Sequence, residues 1–534
     1  MTPPQRGALA AAIIGSATVF LDTTVVNVAL PQIGASLPTA AVGRLEGQVY
    51  VVAGYMTTLA AFLLLAGALG DRYGRRRVFL AGLTGFGLAS LACGLAPNLD
   101  VLAAARLVQG VAGALLVPGS LAIVAERFDG PARARAYGLW ASATSAVIVL
   151  GPALGGVLVE GFGWRSIFLI NAPLVGTGLV LALRYVPDLR PPERAARFDW
   201  LGAVVGVVAV GGLTFGAIRG GQVGWAEPGP LLALGLGAAA LTAFPVLMLR
   251  RRDPLVPPSL FRNRAFSTVN LATLLVYAGL YVLLYMQNLF LQGVLGYSPL
   301  GAALATLPNG LALILLSTWA GALAGRIGAR RLLAGGPVLM ALAAAWWLRV
   351  PPTSAPWLAR ADDLASLVPP IDALIDPLPA AILFGIGSAL LVAPLTATLM
   401  SSVPVERAGL ASALNNALSR AGQPLASAAI FVVITDRFYA SLASRIPGLD
   451  AGSAGLRAAV QPLNAPGAEV DPAIAEAARL ASGEAFGVAM LVVAGLFLCG
   501  AAVSWIGLRG VAGPAVAAGP EPPASDATGD GRRG

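Results

Sequence analysis

Residues Gly67–Arg77 read GALGDRYGRRR and lie between two long apolar runs. A reduced copy, GALAGRIGARR, returns at Gly321–Arg331, again between two apolar runs. Runs of this kind reach the roughly 20 residues that cross a bilayer. Arginine-rich loops between spans stay on the cytoplasmic side. The repeated hairpin therefore says that the chain spans a membrane, is built from two related halves, and turns one identifiable face to the cytoplasm.

Composition agrees. Of the 534 residues, 57% are hydrophobic and 11% charged, whereas soluble domains hold about 25% charged residues. The net charge of +9 comes from arginine, with no lysine in the chain. On a soluble protein this balance would point to nucleic acid. Here the arginines cluster in short loops, so the partner they imply is the lipid bilayer and no nucleic acid. With no histidine, a Ser–His nucleophile or a His-based metal site is excluded. Cys93 and Cys499 both lie inside apolar spans and read as small core residues. The chain shows no nucleotide-binding loop and is not expected to be an enzyme. The first apolar run holds Asp22 and Asn27 and reads as an uncleaved first span.

Breaks at proline, glycine and charge divide the chain into fourteen candidate spans. They lie near 8–33, 46–69, 78–96, 101–125, 135–160, 165–186, 200–219, 230–249, 265–291, 299–324, 331–349, 378–401, 408–435 and 485–508. With residue 1 in the cytoplasm, 24 arginines fall in inner loops and tails and 9 in outer loops. This asymmetry supports the even count and places both termini inside, in the cell membrane. Residues 350–377 and 436–484 are long outer loops, as caps or mobile segments. Residues 511–534 read as a disordered tail.

Gly67, Leu69, Arg72, Gly74, Arg76 and Arg77 of the hairpin recur at an offset of 254, and Gly110–Val117 resembles Gly385–Val392 at an offset of 275. The expected fold is all-α and integral to the membrane. Residues 1–186 form one six-helix bundle, 187–264 two inserted helices with their linkers, and 265–510 a second, pseudo-symmetric six-helix bundle. Parallel halves of this kind are typical of secondary transporters, with the substrate path between them.

Several spans carry polar groups. Asp22 lies about 20 Å from the inner end of span one at 1.5 Å per residue. An intramembrane carboxylate is expensive unless protonated or paired. Arg106 enters span four within about 8 Å of the outer end, a compatible depth. It reads as a structural ion pair or as a donor to backbone carbonyls. Its equivalent in the second half is Ala381, so the fold does not require the charge. Asn27, Gln109, Tyr281, Tyr285, Gln287, Asn288, Asn309, Asn415 and Asn416 are candidate cavity residues, or else interhelical packing contacts. Gly151, Pro152, Gly155 and Gly156 thin one face of span five, for a bend or for close packing.

In order along the chain, these motifs resemble the major facilitator superfamily, and within it the fourteen-span drug/proton antiporters. The matches are Leu21–Pro31, Gly67–Arg77, Leu102-x3-Arg106-x2-Gln109-Gly110, Gly151-Pro152-x2-Gly155-Gly156, Trp164-Arg165…Asn171-x-Pro173 and Phe198–Gly202. The family's span-five pattern has a glycine where this chain has Val147. The resemblance implies proton coupling through Asp22 and Arg106 and a leak-preventing bend at Gly151–Gly156. It also implies a conformational latch formed by Gly67, Asp71, Arg72, Gly74, Arg75 and Arg76. The function implied is proton-coupled efflux of amphipathic, cationic or antibiotic-like compounds by a monomer that needs no cofactor beyond the proton gradient. A dedicated exporter of one metabolite, lipid or siderophore is the nearest alternative, and a facilitative uptake carrier a more distant one.

Overall fold

The computed structural model describes residues 1–39, 43–128, 130–188, 199–223, 225, 227–252, 254–403, 408–467 and 469–510. Only the backbone is described at some helical positions, Gly67, Asp71 and Arg72 among them. The expected tail, 511–534, lies outside the described residues.

The chain runs through α1 (Pro3–Ser36), α2 (Arg44–Tyr73), α3 (Arg75–Gly94), α4 (Leu99–Arg127), α5 (Gly130–Phe162), the single turn α6 (Ser166–Leu169) and α7 (Asn171–Tyr185). Two helices follow, α8 (Trp200–Val223) and α9 (Pro228–Arg250). The remainder is α10 (Arg264–Leu289), α11 (Pro299–Ile327), α12 (Ala329–Trp346), α13 (Ile371–Ile375), α14 (Pro377–Ser401), α15 (Ala408–Arg445), α16 (Ala454–Ala459) and α17 (Pro472–Gly507). Among the described residues, twelve helices are long and apolar enough to cross a membrane. The further helices α2 and α5, of 30 and 33 residues, contain positions outside that set.

The duplication is visible in the backbone. Gly74 ends α2 with φ +96° and Gly328, 254 residues later, ends α11 with φ +88°. Both lie in the region that only glycine enters cheaply, so the turn of each hairpin is set by the same residue in the same conformation. The packing repeats too. A Cβ at Gly82 of α3 would crowd the Ala112 carbonyl of α4 at 3.2 Å; one at Gly336 of α12 would meet the Gly387 carbonyl of α14 at 2.6 Å. Gly110 of α4 lies against the Tyr55 carbonyl of α2, and Gly385 of α14 against the Asn309 carbonyl of α11. Tyr55 and Asn309 are themselves 254 residues apart.

The two ends of the molecule differ. At the end opposite the hairpins the halves are sealed. The Leu45 amide donates to Gln461 Oε1 at 2.6 Å, Gln48 and Asn464 exchange two hydrogen bonds of 3.0 Å, and Gln292 Nε2 donates to the Val28 carbonyl at 2.8 Å. One hydrophobic core runs through this seal, joining Val25, Ala29 and Leu30 of α1 to Leu291, Leu300 and Leu463. At the hairpin end, a second core is built from first-half residues such as Phe79, Leu116 and Phe128, with Tyr281 packed at its edge. The polar contacts described there stay within one half. Arg75 pairs with Glu126 at 3.1 Å, Arg76 donates to the Leu183 carbonyl at 2.7 Å, and Asn263 donates to the Ser402 carbonyl at 2.7 Å.

The inserted helices also reach the sealed end. Arg219 of α8 pairs with the fully buried Glu46 at 3.2 Å, and Phe215 stacks on Tyr50 with ring centroids 6.1 Å apart. The expected long loops are shorter than the sequence implied. Helix α15 continues to Arg445 and α17 begins at Pro472. Glu484 ties the two extensions together through Arg437 (2.9 Å) and Arg445 (2.6 Å). The segment between α12 and α14 folds back under a hydrogen bond from Ser354 Oγ to Asp376 Oδ2 at 2.6 Å.

Candidate functional site

Asp22 and Arg106 meet. The Asp22 carboxylate is fully buried and ion-pairs with Arg106, whose guanidinium is itself 1% exposed. Gln109 lies one helical turn beyond Arg106. Its Nε2 donates to Asp22 Oδ1 at 2.9 Å, and its Oε1 accepts from Arg106 Nη1 at 2.8 Å. Asn171 Nδ2, at the start of α7, donates to Asp22 Oδ1 at 3.3 Å and to Ser90 Oγ at 2.9 Å. Arg106 Nε donates to the Val51 carbonyl at 3.0 Å, and the guanidinium lies 4.0 Å above the Tyr55 ring. One carboxylate thus ties together α1, α2, α3, α4 and α7. The arrangement combines the ion pair and the carbonyl bond that the sequence left as alternatives. Asn171, Ser90 and Tyr55 were not picked out as site residues. Asn171 sat in a recognised motif, and that was its only signal.

A separate cavity of about 290 Å³ lies between the halves, below the seal. Asn27, Tyr281, Gln287, Asn288 and Asn309 line it, joined by Phe20, Tyr277, Ser388 and Arg420. Asn27 and Asn288 turn their amide nitrogens back to the Thr23 and Leu284 carbonyls of their own helices. Their Oδ1 atoms, with Ser388 Oγ and Arg420 Nε, have no hydrogen-bond partner among the described residues. Buried polar atoms without partners cost free energy, and here they converge on one space.

The other candidates fall elsewhere. Gln109 belongs to the Asp22 network. Asn415 donates to Asn270 Oδ1 at 3.1 Å and to Thr273 Oγ1 at 2.8 Å, fastening α15 to α10. Tyr285 is 1% exposed in the shared core, and neither it nor Asn416 is among the cavity's lining residues. Buried spans are apolar all round, so the sequence carried no face by which to sort these residues.

On α5, Pro152 lines the cavity and lacks the N–H that would bond the Ile148 carbonyl. Gly151 and Gly155 lie against Thr24 and Val25 of α1, whereas a Cβ at Gly156 would come within 2.8 Å of Leu300 Cα on α11. The glycine pair therefore serves two contacts, one within the first half and one across the seal. In the hairpin, Gly74, Arg75 and Arg76 are held by their own half; the Asp71 and Arg72 side chains lie outside the described set, and Gly67 is described by its helical backbone alone.

Comparison with known proteins places this geometry. Residues 12–427 match the family model described as Major Facilitator Superfamily. The chain is 36% identical over 443 residues to the multidrug resistance protein Stp of Mycobacterium tuberculosis (strain CDC 1551 / Oshkosh), covering 83% of this chain and 78% of that protein. It is 33% identical over 427 residues to the puromycin resistance protein pur8 of Streptomyces alboniger, covering 80% and 81%. Among solved structures, a bacterial homolog of the human lysosomal transporter Spinster shares the fold, with a TM-score of 0.61 at 18% identity over 95% of this chain and 98% of that one. The chain belongs to the Major Facilitator Superfamily and is a multi-span membrane transporter rather than an enzyme.

Proposed function

We propose that this protein is a proton-coupled exporter of amphipathic, antibiotic-like organic compounds, working by alternating access across the cell membrane. The observation that carries the reading is a cavity between the halves, sealed at one end, beside a buried carboxylate network confined to the first half. Two drug-resistance relatives support the cargo class. They also hold the alternative in view, since one is named for many drugs and the other for puromycin alone.

In this reading fourteen helices span the bilayer, and the arginine-rich hairpin end and both termini face the cytoplasm. The protein works as a monomer and takes its energy from the proton gradient. Asp22 accepts from three side chains in the state seen here. A proton on Asp22 cancels the charge that pairs with Arg106 and so weakens the network around it. Protonation from outside is therefore tied to rearrangement of five helices, and the return to this network expels the proton inward. When the hairpin end closes instead, Asp71 and the hairpin arginines engage the second half as a latch.

The test is transport in proteoliposomes with an imposed pH gradient and a panel of dyes and antibiotics. Asp22→Asn is expected to abolish uphill export while sparing downhill exchange. An Asp22→Asn protein that exports at full rate against the gradient would sink the coupling role. Export of a single compound from the whole panel would favour the dedicated exporter.

A further inference from the structure

Among the described residues, the cavity is lined by a cation and no anion. Arg420 on α15 lines it and is 3% exposed. A guanidinium has five N–H donors and stays charged in proteins. Among the described residues its only hydrogen-bond acceptor is the Met56 sulfur at 4.0 Å; the Phe20 ring lies 5.7 Å from the guanidinium carbon, and Tyr55 and Tyr277 are its electrostatic neighbours. Arg420 Nε has no hydrogen-bond partner among the described residues.

The acids nearby are spoken for or distant. The helices that line the cavity, α1, α5, α10, α11, α14 and α15, contain Asp22, Glu160 and Asp436 as their only acidic residues. Asp22 is committed to Arg106. Asp436 is 16 residues along α15 from Arg420, about 24 Å at 1.5 Å per residue. Glu160 lies at the sealed end of α5, two turns beyond Pro152. On α2, which packs against α15, Glu46 pairs with Arg219 at the sealed end and Asp71 belongs to the hairpin. A buried charge without a counter-charge is strongly unfavourable, and an unpaired arginine inside a membrane domain marks a substrate path.

We infer that the cavity takes organic anions, amphipathic compounds bearing a carboxylate or equivalent acidic group, with Arg420 as the residue that binds the charge. This rests on the exporter reading above and departs from the cationic cargo that the sequence resemblance offered. The guanidinium fork suits a carboxylate bidentately. Phe20, Tyr277 and Tyr281 supply aromatic surface for the apolar body, and no described lining residue offers a cation a counter-charge.

The test uses one fluorophore with opposite charges: dansylglycine as the anion and dansylethylenediamine as the cation, exported from proteoliposomes holding the full-length protein. Wild type is expected to move dansylglycine at least tenfold faster. Arg420→Gln is expected to lower dansylglycine export at least tenfold, and by a larger factor than it lowers export of neutral antibiotics, with Arg420→Lys intermediate. Wild type that moves the cation and not the anion overturns the inference and leaves the exporter reading intact; this arm needs no variant. So does an Arg420→Gln protein that loses every cargo equally. If no compound in the panel moves down or against the gradient, the exporter reading itself fails.

Discussion

Asp22 accepts hydrogen bonds from Arg106, Gln109 and Asn171, and each donor comes from a different kind of sequence signal. Arg106 was legible because charge inside a span is rare. Gln109 was legible only as a polar neighbour, and its true contacts came from its spacing of three residues from Arg106. Asn171 was not legible as a partner, because a single amide at a helix start is ordinary in a membrane protein. Its consequence is measurable. Asn171→Ala removes a buried donor from both Asp22 and Ser90, at a cost of about 1–3 kcal/mol. The variant is expected to melt earlier in detergent and to export more slowly under a pH gradient, while Asn415→Ala, on the α10–α15 contact, lowers the melting point without changing the response to the gradient. Arg420 shows the reverse case: the sequence displayed the charge plainly and gave no means of finding its partner.

Among the elements, the hairpins and the apolar runs could be read with confidence because length and arginine placement are coarse, cumulative signals. The ends of α15 and α17 could not. Residues 436–484 look like loop by composition, yet Glu484 holds two arginines of α15 and extends both helices. Helix α5 carries the sharpest test. Its backbone touches α11 at Gly156, where a Cβ would sit 2.8 Å from Leu300 Cα. Gly156→Val is expected to prop the sealed end apart. Export should fall at least tenfold, and a cysteine placed at Asn464 should become reactive to a membrane-impermeant maleimide. Gly161→Val is the control, since nothing lies within 4 Å of its Cβ; it should leave both readouts unchanged.

At the scale of the molecule, the halves share a core at one end and not at the other. The duplication could be read from two short offsets in the sequence, and glycine contacts at matching positions carry it into the structure. The seal could not be read, because Gln48 and Asn464 are 416 residues apart and neither stands out in its surroundings. A Gln48→Cys/Asn464→Cys pair, in a background with Cys93 and Cys499 replaced, is expected to cross-link under mild oxidation. Cross-linking should stop export, and reductant should restore it. Export that continues through the cross-link would mean that this end need not open.

The seal has a thermal consequence as well. It is made largely of aliphatic side chains drawn from both halves, with only a few amide contacts at its rim. Opening it wets that surface, and hydrating apolar groups raises the heat capacity. The attraction that holds such surfaces together weakens on cooling. The balance between the two openings is therefore not a fixed ratio but a curve in temperature. The arrangement described here, closed at the end opposite the hairpins, is the one that cold works against.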